Sequence, residues 1–315
     1  MKGKKMKKFL ALGLSLVMVL TLLAGCGSSG EKSAEDLSPQ DAITQAMENL
    51  DNVKSMSYDM DMDMDFGMTM GEEELESLKI KTTAEADYIL DPVTMKMKMN
   101  MDMGEGEGLD MISYLQKDGD KYVMYTGTEN EDGTVEWSRT ELTDLPDIEQ
   151  YKAADSMKLY MSSGENFTEN GTEKVNGMEA VRYDGIIKGK DLQEVMDTSG
   201  MSEQMAALNI GSAETLFSEA GDMPISIWID KEQLLPVKYE MDMSVIMQSI
   251  MEKALTAQLE GLEGADSIKI AVNKVLIAMD VKNYNQIDSI EIPEEALNAP
   301  LVDPGTAAEM DPTAQ

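Results

Sequence analysis

Residues 58–70 read YDMDMDMDFGMTM, and this stretch decides the fold. Apolar residues fill the even positions from Tyr58 to Met70, and aspartates fill the odd positions from 59 to 65. Successive side chains of a β-strand point to opposite faces. This period of two therefore predicts a long strand with one apolar and one charged face.

The same alternation continues in the next two segments, at 78–90 and 95–103. An acidic turn at 71–74 and the dipeptide Asp91-Pro92 separate the three runs. We expect a long three-stranded antiparallel meander, apolar on one face and charged on the other. Asp-Gly pairs at 118–119 and 132–133 predict two further hairpins, because this dipeptide is a strong turn signal.

Methionine is the unusual component of the apolar face, since the chain contains 30 of them. Its flexible side chain specifies packing poorly and adapts to variable shapes. Part of the face is therefore predicted to line a hydrophobic groove. The candidate groove residues are Met60, Met62, Met64, Phe66, Met97, Met99, Met101, Tyr239, Met241 and Met243. The alternative is that the same stripes form closed core under predicted helices at 39–53 and 244–262.

Two metal-binding hypotheses concern the same segment. The spacing of Asp59, Asp61 and Asp63 matches the start of an EF-hand loop. Met64 and Met70, however, stand where that loop needs glycine and a bidentate glutamate, which excludes calcium binding of this kind. Paired thioethers could bind Cu(I), but the methionines are spread over several strands and the chain has no histidine. A copper scavenger is only the third hypothesis, and no metal site or cofactor is predicted.

The N-terminus has the features of an export signal. Five lysines lie within residues 1–8, residues 9–23 carry no charge, and Leu23-Ala24-Gly25-Cys26 follows. The apolar run is short for a membrane span, and the order of parts is that of a secretory signal. Its last four residues resemble the lipobox of bacterial lipoproteins, which implies cleavage before Cys26 and a diacylglyceryl group on its sulfur. The alternatives are an ordinary signal peptide or a retained anchor.

Composition excludes several classes of function. The chain has 26 basic and 60 acidic residues, a net charge of −34, which argues against binding nucleic acid. With no histidine and with Cys26 as the only cysteine, imidazole catalysis, disulfides and cysteine zinc sites are not expected. No pair of carboxylates or serine–lysine arrangement stands out, so we do not expect an enzyme.

Helical patterns frame the predicted strands. Ser38-Pro39 is a typical helix start, and an apolar stripe follows to Val53. Residues 146–163 are predicted to be helical, and 189–220 helical or irregular. The amphipathic segment from Ser244 to Leu262 is a candidate lid. Its apolar positions include Ile246, Ile250, Met251, Leu255 and Leu259.

Two later segments resemble the LolA/LppX-like lipoprotein carriers, and most closely uncharacterised Gram-positive lipoproteins of that fold. One segment is Trp228-Ile229-Asp230-Lys231-Glu232 with Leu234-Leu235-Pro236-Val237-Lys238, leading into the strand 239–245. The other is 175–183, VNGMEAVRY. The resemblance spans residues 38–292. It implies a strongly curved antiparallel half-barrel whose helices cover a concave apolar face, and a cavity for acyl chains.

These observations lead to a specific set of expectations. We expect an α+β chain with a signal peptide at 1–25, Cys26 and a flexible tether at 26–37, one half-barrel domain at 38–298 and a disordered tail at 299–315. The leading hypothesis is a non-enzymatic lipoprotein that binds a lipid or another hydrophobic ligand, as carrier or sensor. It would be tethered by Cys26 to the outer face of the cytoplasmic membrane. The alternative is a structural or signalling envelope lipoprotein that binds a protein partner and whose sheet is closed core.

Overall fold

The computed structural model describes residues 33–71, 73–104, 107–119, 121–130, 132–142, 153–189, 191–192, 220–259 and 267–302. The predicted signal peptide and Cys26 lie outside the described residues. So do 146–152 of one predicted helix, most of the segment 189–220, and 303–315 of the predicted tail. Lipidation and the tether therefore stay predictions.

The chain forms one open antiparallel sheet of eleven strands with few helices, which confirms the predicted α+β class. The strands are β1 (Ser55–Met70), β2 (Glu73–Leu90), β3 (Val93–Gly104), β4 (Glu107–Asp118), β5 (Lys121–Glu129), β6 (Val135–Leu142), β7 (Gly164–Val175), β8 (Met178–Ile187), β9 (Met223–Asp230), β10 (Pro236–Asp242) and β11 (Ile268–Lys282). Their order across the sheet is β6-β5-β4-β3-β2-β1-β11-β10-β9-β8-β7. The predicted three-stranded meander is thus half of a six-stranded one.

The α-helices that accompany the sheet include α1 (Pro39–Leu50), α2 (Ala153–Ser163), α3 (Ser244–Leu259) and α4 (Glu294–Leu297). At the start of α1, the Oγ of Ser38 accepts a hydrogen bond from the Asp41 backbone N–H at 3.2 Å. Pro39 occupies the first helical position, where no backbone N–H is needed. Within the described parts of the chain, no helix is both long and apolar enough to span a membrane.

A β-bulge in β11 keeps its apolar residues on one face. Opposite β1, Asp65 pairs with Lys274 while Phe66 pairs with Val272, so Asn273 is the extra residue. A bulge shifts the alternation by one position. Val275 and Ile277 before the shift, and Val272 and Ile270 after it, therefore all lie opposite apolar residues of β1.

The main core lies between three helices and the β8–β11 half of the sheet. Fully buried residues of α1, among them Ile43 and Leu50, share one apolar cluster with Met157 and Met161 of α2 and with Ile246 of α3. Strand residues of the same cluster include Tyr183, Ile227 and Tyr239. A second cluster, Tyr114, Val123, Tyr125 and Ala296, joins β4 and β5 to the C-terminal segment. The sheet thus buries apolar groups on more than one surface.

Both ends of the predicted domain extend further than the sequence indicated. The backbone N–H of Ala34 donates to the Lys231 carbonyl at 3.1 Å, and Tyr183 donates its hydroxyl to the Ala34 carbonyl at 3.1 Å. Residues 33–37, expected in the flexible tether, are therefore docked on the sheet. At the other end, Arg139 donates its backbone N–H to the Pro300 carbonyl at 3.0 Å, so the first residues of the expected tail pair with β6.

The segment that carries the family resemblance has a structural role. Trp228 is buried, with the guanidinium of Arg182 4.9 Å from its ring centre and the ammonium of Lys238 at 4.7 Å. Asp230 accepts backbone N–H bonds from Glu232 and Gln233 and so fixes the β9–β10 turn. Trp228 and Asp230 thus make their contacts with other parts of the same sheet.

Candidate ligand-binding site

The strand register brings most of the predicted groove residues onto one face. Directly opposed residues of antiparallel strands point to the same side of a sheet. One row across the sheet is Tyr239–Met279–Met60–Ala84–Met99–Met111, and the next is Met241–Ile277–Met62–Thr82–Met101–Leu109. We call this surface, with Met64, Phe66 and Met97 on the same strands, the methionine face.

Burial divides this face into two regions. Tyr239 is 0% exposed and Met241 is 6% exposed, and both belong to the main core. Met243 is half-buried and packs against the same core. Tyr239 and Met241 are thus core residues, and Met243 lies at the margin of that core. The candidates on β1 and β3, by contrast, are all half-buried: Met60, Met62, Met64, Phe66, Met97, Met99 and Met101.

The methionine face becomes more exposed toward the β1–β2 hairpin. Leu78, which lies opposite Phe66, is 45% exposed, and Met70 is 46% exposed. Leu109, opposite Met101, is 37% exposed. Large apolar side chains in neighbouring positions are thus accessible at this end of the sheet.

The opposite end of the face closes against two tyrosines. Tyr58 and Tyr88 stack with their ring centres 5.8 Å apart. Both tyrosines are half-buried, and desolvation raises the pKa of both hydroxyls. The face therefore runs from a half-buried aromatic end to an exposed aliphatic end.

The candidate lid, α3, is attached along an edge of β11. β10 is shorter than β11, and its pairing ends at Leu276. Beyond that point the side chain of Gln248 takes the place of a strand: its Nε2 donates to the Ile270 carbonyl at 2.9 Å and its Oε1 accepts from the Val272 N–H at 2.6 Å. Ser244 accepts from the Val275 N–H at 2.9 Å.

The predicted lid residues divide in the same way as the groove residues. Ile246 and Ile250 are buried in the main core, whereas Met251 and Leu255 are half-buried. Leu259 is the last residue of α3. The structure thus brings Ile246 and Ile250 together with Tyr239 and Met241, and does not separate them as a free lid.

The aspartates on the outer face of β1 are engaged by neighbouring side chains. Lys274 contacts Asp63 at 2.5 Å, Lys282 pairs with Asp59, and Asn273 donates to Asp65 at 3.0 Å. The hydrogen bond from Asn273 holds the pKa of the Asp65 carboxyl below its usual value.

The sequence reasoning missed two hydroxyl groups on the apolar face. Thr82 is 2% exposed and Tyr122 is 8% exposed, and neither side-chain oxygen has a hydrogen-bond partner within the described structure. Thr82 could have been found from the sequence, because it is a polar residue at an apolar position of the alternation, between Ile80 and Ala84. For Tyr122 the alternation gave no signal, because buried tyrosines are common.

A separate cleft of about 710 Å³ lies at the end of the sheet near the β9–β10 turn. Its lining includes Gln45, Asn49 and Gln233. Asn49 already donates to the carbonyls of Gln233 and Leu234, at 3.1 and 3.0 Å. The lining of this cleft is mixed, since Leu37, Val53, Leu234 and Leu235 lie beside the polar residues, and it includes no residue of the methionine face.

Comparison with protein families gives a match over residues 38–300 to a family of unknown function, DUF6612. The chain belongs to this family. No sequence among the curated proteins matches it.

Solved structures with a similar chain path include two mycobacterial proteins. LprF from Mycobacterium bovis is 12% identical, with a TM-score of 0.44 over 82% of this chain and 97% of that chain. The lipoprotein LppX from Mycobacterium tuberculosis is 13% identical, with a TM-score of 0.40 over 80% and 97%. A LolA superfamily protein from Nitrosomonas europaea is 7% identical, with a TM-score of 0.19 over 82% and 96%. All three similarities are at low sequence identity and at TM-scores under 0.5.

Proposed function

We propose that this DUF6612 protein is a membrane-tethered lipoprotein that binds a lipid or another hydrophobic ligand on its methionine face. Binding is by burial of apolar surface, without covalent chemistry. The lipidated Cys26 holds the protein at the outer face of the cytoplasmic membrane, where it acts as a carrier or a sensor.

One observation carries the proposal: the methionines of β1 and β3 lie in register on one face and are half-buried. Met60, Met62, Met99 and Met101 would be buried in an ordinary closed core, as Tyr239 and Met241 are in the same rows. A contiguous, partly exposed apolar surface usually marks an interaction site. Methionine suits such a surface because its side chain re-packs around ligands of different shape.

The exposed end of the face supplies a route for the ligand. Leu78 and Leu109 are accessible there, while the Tyr58–Tyr88 pair closes the other end. A hydrophobic molecule can therefore reach the face from the side of the β1–β2 hairpin. The alternative function, a protein-binding lipoprotein, is favoured by the closed core around Tyr239 and Met241 and would require the rest of the face to close in the same way.

A fluorescence titration tests the proposal. The protein without residues 1–26 is titrated with N-phenyl-1-naphthylamine, an uncharged dye whose emission rises in apolar surroundings. We expect saturable binding, weakened about tenfold or more by Met62→Glu, because a charge on this face must be desolvated. Met62→Trp, which adds bulk without charge, should weaken binding as well.

The matched control is Thr83→Glu, which places the same charge on the opposite face of β2. Its affinity for the dye should equal that of the unmodified protein. Equal affinity of all variants, or no saturable binding by the unmodified and folded protein, would contradict a ligand site on the methionine face.

A further inference from the structure

A cavity of about 490 Å³ lies on the side of the sheet opposite to the methionine face. On its floor Glu85 of β2, Lys98 of β3 and Ile112 of β4 stand in one row. The same row continues through Gly127 on β5 to Trp137 on β6. We call this space the tryptophan cavity. Cavities that bind small molecules measure about 300–1,000 Å³, so its volume suits a ligand.

Gly127 allows the apolar wall of this cavity to pack directly on the backbone of β5. A Cβ atom at this position would lie 3.0 Å from Cε3 of Trp137, 3.0 Å from Cγ2 of Ile112 and 2.7 Å from Cγ1 of Val135. Carbon atoms in contact are about 3.5–4.0 Å apart, so a side chain here would displace all three neighbours. The indole also packs against the buried Tyr114, with ring centres 6.0 Å apart. Trp137 is therefore held in place as a half-buried wall.

Several polar groups around the tryptophan cavity are free to bond to a ligand. Glu85 and Lys98 are directly opposed on neighbouring strands, yet neither forms an ion pair within the described residues. The indole N–H of Trp137 likewise has no partner in the part of the chain that the structure describes. Asp110 accepts one hydrogen bond, from Asn100 at 2.8 Å. A carboxylate can accept several bonds, so Asp110 retains acceptor capacity.

The charges of the cavity argue against an ionic ligand. Its described lining contains three carboxylates, those of Glu85, Asp110 and Glu129, and one ammonium group, that of Lys98. An anion would be repelled by the carboxylates, and a cation would meet Lys98 in the same small space. Hydroxyl groups both donate and accept hydrogen bonds. A neutral ligand with several hydroxyls can therefore bond to the carboxylates and to the ammonium group together.

The indole wall adds a second requirement. The face of an aromatic ring carries partial negative charge and attracts the weakly positive hydrogens of C–H groups. A pyranose ring has C–H groups on its faces and hydroxyls around its rim. It can therefore lie against Trp137 while its hydroxyls reach Asp110, Asn100 and Lys98. An acyl chain has no hydroxyls and would leave these polar groups without partners.

A second hollow, of about 270 Å³, adjoins the tryptophan cavity and shares Glu85 and Lys98 with it. Polar groups in this hollow are already engaged within the sheet, since Ser57 donates to Asp87 at 2.7 Å. The hollow thus gives room for further units of a ligand, whereas recognition depends on the groups beside Trp137.

We propose that the tryptophan cavity binds one end of a neutral oligosaccharide. One sugar ring lies against the indole of Trp137, and its hydroxyls bond to Asp110, Asn100 and Lys98. The following units extend across β3 and β2 toward the adjoining hollow. This site lies on the opposite side of the sheet from the methionine face, so it does not depend on the proposed function.

Fluorine NMR of the full chain in phosphatidylcholine nanodiscs tests the inference. The chain contains two tryptophans, so 5-fluorotryptophan gives one signal from Trp137 and one from the buried Trp228. The neutral probes are maltotriose, cellotriose and tri-N-acetylchitotriose, and the anionic probe is trigalacturonate. We expect a neutral trisaccharide to shift the Trp137 signal saturably and to leave the Trp228 signal in place. It should bind about tenfold or more tightly than trigalacturonate, which the carboxylates repel.

Calorimetric titration of three variants with the best neutral probe tests the named residues. Asp110→Ala removes an exposed acceptor and should weaken binding about tenfold or more, because hydrogen bonds to charged groups are the stronger ones. Trp137→Leu keeps an apolar contact for Tyr114 but removes the flat wall, and should weaken binding as well. The matched control is Asp61→Ala, at an exposed position of the same row outside the cavity. Its affinity should equal that of the unmodified protein.

The possible outcomes separate this inference from its rivals. Equal affinity of Asp110→Ala and Asp61→Ala, with both variants unfolding at the temperature of the unmodified protein, would overturn the assignment of the site. An unchanged Trp137 signal with all three neutral trisaccharides would overturn the inference as a whole. So would tighter binding of trigalacturonate, or of the cationic peptide trilysine, at the same cavity. None of these results affects the methionine face, whose test uses an apolar dye and residues on the other side of the sheet.

Discussion

Side chains on the outer face of the sheet are held in local networks of hydrogen bonds. Asp184 on β8 accepts bonds from Ser226 at 2.7 Å, Arg182 at 2.7 Å and Asn170 at 2.6 Å. Partial burial by itself would raise the pKa of this carboxyl, but the three donors hold the pKa below its ordinary value of 3.8. The ionised form is therefore stabilised by folding.

The depressed pKa predicts how stability depends on pH. A carboxyl whose pKa is lower in the folded chain than in the unfolded chain stabilises the fold at any pH above the unfolded-state pKa. This contribution is lost as the pH falls through the folded-state pKa. Asp184→Asn should therefore lower the free energy of unfolding by about 1 kcal/mol at neutral pH. The difference in stability between this variant and the unmodified protein should shrink as the pH falls below 3.8, the ordinary pKa of an aspartate.

Urea unfolding of both proteins across this pH range measures the effect. Asp288→Asn, at an exposed position, is the control and should be neutral throughout. A loss of stability from Asp184→Asn that stays constant down to the lowest pH would show that the charge of Asp184 is not what stabilises the strand pair.

At the scale of elements, the unequal lengths of β10 and β11 create a position for α3. β11 continues to Ile268 after its pairing with β10 ends at Leu276. Backbone groups of an unpaired strand edge need partners. Gln248 and Ser244 of α3 supply them at Ile270, Val272 and Val275.

Gln248→Leu should loosen α3 without emptying the core. The change removes the bonds to Ile270 and Val272, and Ile246 and Ile250 keep their buried positions. We expect a loss of about 1 kcal/mol in the free energy of unfolding, because the half-buried backbone donor of Val272 is left without its partner. Hydrogen exchange at the Val272 amide should speed up, and exchange at Tyr239 in the core should change only by the global loss of stability.

The matched control replaces Gln45, a half-buried glutamine of α1, by leucine. This variant should leave exchange at Val272 unchanged. If Gln248→Leu leaves the Val272 amide as protected as before, the glutamine is not the link between α3 and the sheet.

The alternation of apolar and polar residues predicted the positions of the β-strands well, but it predicted poorly which of their apolar side chains are buried. The runs at 58–70, 78–90 and 95–103 became β1, β2 and β3 because side-chain direction in a strand depends only on local geometry. Which part of an apolar stripe is covered depends on distant segments: Met241 is 6% exposed and belongs to the main core, whereas Met62 is half-buried, although they stand in one row. The insertion of β11 between β1 and β10 is a pairing over about 200 residues that no local pattern specifies.

At the scale of the whole molecule, the docked residues 33–37 limit where the proposed anchor at Cys26 could attach. Glu35 forms an ion pair with Lys231 at 2.7 Å and accepts from Thr172 at 2.9 Å, and these partners lower the pKa of its carboxyl. The chain between Cys26 and Ser33 spans at most about 25 Å. Lys231 follows β9 at the end of the sheet where β1 begins, so the proposed anchor at Cys26 would attach at the end opposite the exposed part of the methionine face.

This arrangement refines the picture drawn from sequence, in which the tether keeps the groove near the bilayer. β1 has 16 residues and is therefore about 50 Å long. With the proposed anchor near the beginning of β1, the accessible Leu78 and Met70 would stand well away from it. In the proposed function, a ligand would then be exchanged with a partner or membrane region that reaches this far end.

The central claim is that the methionine face holds a hydrophobic ligand, and mass spectrometry of the protein as isolated tests it most directly. The chain from residue 27 is purified without detergent, and the organic extract of the folded protein is compared with that of Met62→Glu. We predict a lipid bound to the unmodified protein in near-stoichiometric amount and largely absent from the variant. Repeated isolation of folded, unmodified protein with no lipid, or equal lipid in both proteins, would contradict the account.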